Sequence, residues 1–483
     1  MKPASACIRI ALLMLSSCVL IQARSKVEMK VLIRMLDAQE AFFKAEVIEG
    51  FESKPRSEIE VVHYASVDSI PLELEKHTSD AGLVKVPFDK AWSLVDQGHI
   101  KPLNDFLTEE QMKEFGSTYL LTSLGMRGGK QYYVPRKFET RVMVYLKSRV
   151  KEACAVWRMH HDAVSAELKK YNGYGLPATY MLEDDPNAWD FFDVFVAGWV
   201  WAHTQYGGTQ NGRVAHRGKR YSGTALRVID RAFSCGADSA AIIDMHGDAV
   251  RDAFLWEAAY AASGIYNPRM WKQEWSGSGV WEGFKDGDVF LSFMTQLDCF
   301  FIHGTGRDGL EGFLKDPDDM GVAVMPAGCS LDIDKTGKVA REGSHAITTG
   351  GWWWGIPVHT PDALVSYKVA RHITSTENQV QGCSRFGMIP VRKDILSDMS
   401  MLFGGGWITE VYDVSFKQLM ANKKTVLPSH PKFDKIRDVY LDAWFDIVVN
   451  RNWAAGKSGG TPDAGHIESV LSGTYRSQVD KLK

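Results

Sequence analysis

The segment Asp80–Leu103 reads DAGLVKVPFDKAWSLVDQGHIKPL. Its first part, Asp80–Val86, is short and mostly apolar, which is typical of a buried strand. The helix predicted after it runs from Phe88 to Gln97 and ends at Gly98, because glycine commonly follows the last helical turn. The segment therefore predicts one strand followed directly by one helix.

Two further apolar segments precede this unit and repeat its order. Met29–Leu36 (MKVLIRML) and Glu58–Tyr64 (EIEVVHY) are compatible with strands. Asp37 can cap a helix after the first of them, and Thr108 opens a capping box, TEEQ, before a later helix. Strands that alternate with helices favour βαβ units, so the sequence predicts an α/β fold with a largely parallel sheet.

Length and composition limit the class of protein. The 483 residues suit two large domains or three of ordinary size. The 56 Lys and Arg residues nearly balance the 59 Asp and Glu residues, which argues against a dedicated nucleic-acid-binding protein. The 15 tryptophans suit either a large core or a surface that stacks on flat ligands.

Residues 1–23 have the features of a secretory signal peptide. A positively charged start precedes an apolar run that is too short and too interrupted for a membrane span. Within this run, Leu15–Cys18 (LSSC) resembles the lipobox of bacterial lipoproteins, in which the cysteine is acylated. Two alternatives stay open, namely a lipid anchor on Cys18 or cleavage after Ala23. Both place the mature protein in the periplasm or another extracytoplasmic location.

Motifs for catalysis or cofactor binding lack the context that they need. Gly304–Gly309 (GTGRDG) fits the dinucleotide-binding pattern, but Pro317 leaves no room for the helix that such a site requires. The acidic stretch that starts at Asp332 has Gly343 where a calcium loop needs a glutamate. The cysteines form no C-x-x-C pair. We therefore expect no cofactor, no metal site and no catalytic residue.

Several segments resemble the sugar-binding proteins of ABC importers, the bacterial extracellular solute-binding family that includes maltose-binding protein. These segments are Asp80–Leu103, Gly129–Lys147 (with GKQYYVP), Met320–Pro326 (MGVAVMP), Gly350–Pro357 (GGWWWGIP) and Phe386–Lys393 (FGMIPVRK). They follow one another in the order of the family. Residues 150–280 have no clear counterpart in it.

The resemblance implies a two-lobed α/β fold, the periplasmic-binding-protein fold, with a ligand cleft between discontinuous lobes. Lobe one would combine residues 27–140 with 327–388, and lobe two would combine 143–321 with 393–483. The chain would cross between the lobes near residues 139–142, 322–326 and 388–392.

Two acidic residues match sugar-contacting positions of the family. Asp89 lies in the strand–helix unit and Glu139 follows the GKQYYVP segment. The alternative for Asp89 is a cap on the helix that it precedes. Arg141 lies two residues beyond Glu139, so both face the same side of a strand. Arg141 is therefore expected either to contact the ligand or to pair with Glu139.

Three consecutive tryptophans, Trp352, Trp353 and Trp354, begin a predicted central strand. Side chains alternate along a strand, so Trp352 and Trp354 share one side and Trp353 takes the other. At most one side can face the cleft. We expect at least one of these rings in the core and one or two as stacking platforms for a sugar.

The remaining candidates are weaker. Gln296 and Asp298 end an apolar run and are expected to share a strand face near the second-lobe binding loop. Trp201 belongs to an aromatic segment whose spacing predicts a buried helix. Tyr64 and Arg437 complete the set of candidate ligand-binding residues.

The function that the resemblance implies is a non-enzymatic, monomeric solute-binding protein. It would capture a carbohydrate, in particular an oligosaccharide, by lobe closure and deliver it to the permease of an ABC importer. Two alternatives stay open at this stage. One is a secreted carbohydrate-active enzyme, and the other is a binding protein that serves a chemoreceptor.

Overall fold

The computed structural model describes residues 27–52, 57–204, 213–306, 311–422, 432–454 and 460–483, together with residues 425, 428 and 430. The predicted signal peptide with Cys18 lies outside the described residues. So does the second half of the GTGRDG motif.

Eleven strands lie within the described residues. They are β1 (Val27–Ile33), β2 (Ser57–His63), β3 (Ala81–Pro87), β4 (Met126–Arg127), β5 (Lys130–Gln131), β6 (Tyr133–Glu139), β7 (Arg141–Leu146), β8 (Arg213–Ala215), β9 (Val289–Thr295), β10 (Met320–Ala323) and β11 (Gly350–Gly355).

The α-helices of the described residues follow in chain order. They are α1 (Asp37–Phe42), α2 (Glu49–Glu52), α3 (Ile70–Lys76), α4 (Phe88–Asp96), α5 (Glu109–Thr118), α6 (Lys147–Val156), α7 (His161–Asn172), α8 (Phe191–His203), α9 (Ser222–Ser234), α10 (Ser239–Asp244), α11 (Asp248–Ala262), α12 (Arg269–Lys272), α13 (Gly277–Lys285), α14 (Gln296–His303), α15 (Ala363–Ile373), α16 (Thr376–Phe386), α17 (Lys393–Ser397), α18 (Met399–Phe403), α19 (Trp407–Ala421), α20 (Phe433–Trp444), α21 (Ala464–Val470) and α22 (Arg476–Asp480).

The first lobe is built on a five-stranded sheet with the order β2–β1–β3–β11–β6. β1 is parallel to β2 and to β3, as the strand–helix alternation predicts. β11 is antiparallel to both of its neighbours. The carboxyl ends of β1, β2 and β3 therefore meet at one edge of this sheet.

The second lobe is built on a four-stranded sheet with the order β10–β7–β9–β8. Of its pairs, β8–β9 is parallel, whereas β7 is antiparallel to both β9 and β10. The prediction of a largely parallel sheet is confirmed apart from one reversed strand in each lobe, β11 in the first and β7 in the second. The physical reason is the path of the chain, because β7 and β11 each enter their sheet from the opposite lobe.

Local signals in the sequence are confirmed at several helices. The Thr108 hydroxyl accepts a hydrogen bond from the Gln111 backbone N–H at 3.2 Å. In turn, the Thr108 backbone N–H donates to the Gln111 side-chain oxygen at 2.9 Å. The aromatic segment forms α8, which is buried around most of its circumference. Asp37 does not cap α1, because the cap position is Leu36.

The contacts of two segments bear on the predicted lobe boundaries, which stay a prediction. Residues 327–347 pack on second-lobe helices, since the Ala327 N–H donates to the Trp189 carbonyl and the Ser344 N–H to the Ser234 carbonyl, both at 2.8 Å. In the other direction, Lys393 on α17 donates to the Gly116 carbonyl of α5 at 2.7 Å. These contacts favour a second crossing at residues 348–349 and a third crossing after α17.

The second lobe encloses a buried carboxylate, Glu257 on α11. It accepts hydrogen bonds from the Tyr266 hydroxyl and the Trp444 indole N–H, each at 2.7 Å, and it pairs with the Arg231 guanidinium. Burial alone would raise the pKa of Glu257, but Arg231 and His216 lower that pKa well below its ordinary range. Glu257 is therefore ionised and organises this part of the core.

Replacing Glu257 by glutamine should lower the free energy of unfolding at pH 7 by about 3–5 kcal/mol, because the buried Arg231 loses its counter-charge. A group with a depressed pKa stabilises the fold above its unfolded pKa of about 4.3 and loses that effect as the pH falls. The difference from the parent protein should therefore shrink in acid. Urea unfolding measures it, and the exposed Glu152→Gln is the control, with an expected change under about 0.5 kcal/mol. A Glu257→Gln variant as stable as the control would contradict this role.

Candidate functional site

Three residues lie at the carboxyl ends of the parallel strands of the first sheet. Arg34 comes after β1, Tyr64 comes after β2, and Lys85 lies near the end of β3. The Tyr64 hydroxyl donates to the Lys85 carbonyl at 2.6 Å, and the Lys85 ammonium donates to the Arg34 carbonyl at 2.6 Å. Ligands of open α/β sheets bind beyond such carboxyl ends, so this edge is the first candidate for a binding site.

The neighbouring strands add an aromatic ring and a second pair of charges. The Lys85 ammonium lies 4.1 Å from the centroid of the Trp352 ring. Trp352 on β11 is paired with Lys137 on β6, and the Lys137 ammonium lies 2.5 Å from the Glu139 carboxylate. Cross-strand partners and residues two apart on a strand share a face. These four side chains therefore form one patch, which we call the edge cluster.

The electrostatics of the edge cluster are dominated by burial and by neighbouring positive charges. Lys85 is only 3% exposed. This burial, with the charges of Lys137 and Arg136, holds the pKa of Lys85 well below its ordinary value. Burial would raise the pKa of Glu139, but the attraction of Lys137, Lys85 and Arg141 outweighs it and lowers that pKa. Glu139 is thus a firmly ionised acceptor.

On the second-lobe side, the buried Asp230 of α9 binds two arginines. Arg141 donates to Asp230 at 3.2 Å and to the Thr348 hydroxyl at 2.5 Å, and Arg227 lies 3.0 Å from Asp230. Burial raises the pKa of Asp230, and Arg141 opposes that shift. Arg141 is therefore joined to Asp230, although it lies only two residues beyond Glu139 in the chain.

Two buried side-chain amides pin the chain passages between the lobes. Gln296 accepts from the Thr140 N–H at 3.0 Å and donates to the Gly387 carbonyl at 3.0 Å. Asn422 accepts from the Ile347 N–H at 2.9 Å and donates to the Thr140 hydroxyl at 3.1 Å. Gln296 and Asn422 thus hold the first crossing at Thr140 and the second beside Ile347 against the first-lobe segment at Gly387, and we call them the hinge amides.

Gln296 and Asp298 do not share a strand face, and that prediction is wrong. β9 ends at Thr295, and both residues lie in the first turn of α14. Asp298 caps this helix, since it accepts from the Thr295 N–H at 3.0 Å and hydroxyl at 2.6 Å. It also binds Arg217 at 3.0 Å and the Trp281 indole at 2.9 Å. Asp298 therefore has a full set of partners within the lobe.

Asp89 and Arg437 bind each other across the cleft. Asp89 on α4 of the first lobe lies 2.8 Å from Arg437 on α20 of the second lobe. One residue further on, Lys90 pairs with Asp434 on α20 and with Asp68 at 2.9 Å. Asp89 does not cap α4, because the cap position is Pro87. The two ion pairs from α4 to α20 form a latch between the lobes.

The three tryptophans of β11 separate into different environments. Trp353 is buried, stacked on Phe88 with centroids 4.3 Å apart, and Trp354 is buried against Phe43 at 6.0 Å. Only Trp352 is half-buried, with its ring beneath Lys85. Trp353 and Trp354 are thus core residues of the first lobe, whereas Trp352 belongs to the edge cluster.

Trp201 lies in the core of the second lobe. Its indole N–H donates to the Arg149 carbonyl at 2.9 Å, and the Arg149 guanidinium covers its ring at 4.4 Å. Nothing in these contacts joins Trp201 to the edge cluster. Of the candidates from sequence, the structure brings together Tyr64, Glu139 and Trp352, with Arg141 adjacent.

Sequence reasoning missed Lys85, Lys137, Asp230 and Arg227. A usable signal existed for Lys85, which is a charged residue inside the apolar strand GLVKVP. A buried charge in a strand needs a special partner, so it points to a site. Lys137, in the strand YVPRKFE, carries the same signal.

The described residues were also considered as a metal site and as membrane-spanning helices. Among them, no group of three or more His, Cys, Asp or Glu side chains could hold a metal ion. No helix in the part of the chain that the structure covers is long and apolar enough to cross a membrane.

Two α/β lobes with charged and aromatic groups between them define the class of two-lobed ligand-binding proteins. A family model described as bacterial extracellular solute-binding protein matches residues 46–401, and the chain belongs to this family. The family recognised from the sequence segments is therefore confirmed, and with it an extracytoplasmic location. No curated protein matches the chain.

Solved structures of sugar-binding proteins share the fold. Maltose-bound MalE3 of T. maritima has a TM-score of 0.64 at 14% identity, over 94% of this chain and 100% of that chain. MalE of Xanthomonas citri has a TM-score of 0.64 at 13% identity, over 94% and 98%. The GacH receptor of Streptomyces glaucescens, solved unliganded and with acarbose, has a TM-score of 0.62 at 14% identity, over 95% and 100%. The predicted two-lobed fold is confirmed.

The latch between α4 and α20 should hold the ligand-free protein closed. An Arg437→Met substitution removes the pair with Asp89, and a partly buried ion pair contributes about 0.5–1 kcal/mol, so the open population should rise about 2–5-fold. Small-angle X-ray scattering should show a larger radius of gyration. The control is Arg220→Met, which removes an ion pair with Asp442 inside the second lobe. Equal radii for the two variants would contradict the latch.

Proposed function

We propose that the protein is the extracytoplasmic binding component of an ABC importer and that it binds a carbohydrate, in particular an oligosaccharide, between its lobes. The family supports the binding role, and the sugar-binding proteins that share the fold support the ligand class. The role is non-enzymatic, because the ligand is captured by lobe closure and handed on unchanged.

The observation that carries this proposal is the edge cluster. A sugar presents C–H groups on its faces and hydroxyls around its rim. Trp352 offers an aromatic plane for a face, while Glu139 and Lys137 offer an acceptor and a donor for the rim. Tyr64 and Arg141 flank these groups on the two sides. The arrangement meets both requirements of a sugar at one place.

Closure follows from contacts that only the closed state can make. A ligand held at the edge of the first sheet touches groups of the second lobe only when the lobes meet, so it binds the closed state more tightly. The hinge amides keep the passages together while the lobes move. Asp89 and Arg437 contribute to this step through the latch.

The partners in this proposal are the permease subunits of the importer and, where Cys18 is acylated, the membrane. The protein acts as a monomer, since a single chain supplies both walls of the cleft. The ligand is captured outside the membrane and is then delivered to the permease.

Binding of carbohydrate is tested directly by calorimetry against a panel of mono- and oligosaccharides. Trp352→Ala should weaken binding of the tightest ligand by about 1–2 kcal/mol, because one ring face is lost. The control is Trp199→Ala on α8, where the ring packs on His203 at 4.9 Å. Saturable binding without any product, measured by chromatography after long incubation, supports the proposal. Turnover of a sugar, or no binding across the panel, would contradict it.

The lipid anchor is tested by fractionating cells that express the full chain. Acylation of Cys18 would hold the protein in the membrane fraction, and Cys18→Ser should shift most of it to the soluble extracytoplasmic fraction. Cys154→Ser, which alters a half-buried thiol within the fold, is the matched control. Unchanged partitioning of the Cys18→Ser variant would favour cleavage after Ala23.

A further inference from the structure

The edge cluster carries more positive than negative charge. On the first-lobe side, Lys85 and Lys137 share a single carboxylate, that of Glu139, and Arg34 adds a further positive charge to the field at Lys85. Glu139 lies 2.5 Å from Lys137, so it is already engaged. Lys85 is left without a counter-ion of its own.

The surroundings of Lys85 are unusual for a buried ammonium. It is 3% exposed, and within the described residues its hydrogen bond goes to the Arg34 carbonyl and no carboxylate lies within ion-pair distance. An ammonium has three N–H donors, and a buried charge without a partner is costly. The Trp352 ring at 4.1 Å compensates only in part. Burial, together with the charges of Lys137 and Arg136, holds the pKa of Lys85 well below its ordinary value.

The second-lobe side repeats the pattern. Arg141 and Arg227 share the carboxylate of Asp230. The Nε and Nη1 atoms of Arg227 are buried and have no hydrogen-bond partner among the described residues. A cavity of about 10 Å³, enough for one water molecule, adjoins Arg227 together with Phe293 and Met325. The second lobe therefore also holds buried guanidinium donors, on Arg227, without acceptors among the described residues.

We propose that the bound carbohydrate is anionic and that its carboxylate, sulfate or phosphate group pairs with Lys85 beside Lys137. This inference rests on the proposed function and names the class of sugar. A purely structural role would use only the hydrogen bond to the Arg34 carbonyl, which engages one of the three N–H donors of Lys85. An anionic ligand group supplies the counter-ion that Lys85 lacks, beside the half-buried ring of Trp352.

The shared chemistry is a negatively charged oxygen group, and matched sugars distinguish its sources. Galacturonic acid oligomers and neutral galactose oligomers of equal length differ in the carboxylate alone. Sulfated galactose and phosphorylated galactose test the other two anionic groups, sulfate and phosphate. Isothermal calorimetry on the full-length protein gives the affinity for each, at low and at raised salt.

The parent protein should bind at least one anionic sugar about 10–100-fold more tightly than its neutral partner, as expected for charge-assisted hydrogen bonds. Lys85→Met should remove most of this preference, because it weakens binding of the anionic sugar far more than binding of the neutral partner. Lys137→Met should reduce the preference less, because Glu139 is released at the same time. Lys113→Met, an exposed lysine on α5, is the control and should change neither affinity.

Two results overturn the inference and can be told apart. Neutral sugars could bind as tightly as their anionic partners, with the same ratio of the two affinities in Lys85→Met as in the parent protein. This result would contradict an anionic ligand and leave carbohydrate binding itself intact. No binding of any sugar by a protein with a cooperative melting transition would overturn the proposed function itself. The melting temperature of each variant is measured alongside, and retained neutral-sugar binding shows that Lys85→Met is folded.

Discussion

The hinge amides are the constraint on which the rest of the structure depends. Gln296 and Asn422 each bind two segments of the chain, and both of them hold Thr140 at the first crossing. These bonds are buried, so breaking one leaves unpaired backbone groups in the interior at a cost of about 1–3 kcal/mol. The passages are therefore fixed relative to one another, and this places the carboxyl edge of the first sheet opposite α9 and Asp230.

That placement explains how charged side chains come to be buried at the cleft. β6 brings Lys137 and Glu139 to the passage, and β7 starts with Arg141 on the other side of Thr140. One short segment therefore supplies charged groups to both lobes. In the proposed binding mechanism, closure covers these groups, and the attraction between a ligand and a buried charge grows as water leaves. The latch of Asp89 with Arg437 acts at a different place, so capture of the ligand and closure of the lobes rest on different residues.

The strand–helix order could be predicted, because periodicity and local caps are properties of short segments, whereas the two-lobed fold was predicted from the family resemblance alone. The Thr108 capping box and the strand and helix within Asp80–Leu103 are examples. The site could be predicted only in part. Glu139, Tyr64 and Trp352 come together as a group, and family resemblance or strand position was sufficient to nominate them.

The other features of the site depend on residues that are neighbours in space but distant in sequence, so local sequence patterns do not show them. Which tryptophan faces outward was decided by the register shift beside Trp352 and by the packing of α4 on Trp353. Asp89 was predicted as a ligand residue, but its partner Arg437 lies 348 positions away. Lys85 was missed although the sequence shows a charge inside an apolar strand, and its lack of a carboxylate partner is visible only in the fold.

The location of the ligand at the carboxyl edge of the first sheet is the central claim of this account. Hydrogen–deuterium exchange, with and without the carbohydrate that binds most tightly by calorimetry, measures it most directly. The account predicts slower exchange at the ends of β3 and β6, at β11 around Trp352, and at the start of α9. Protection confined to the outer helices, with these segments unchanged, would contradict it.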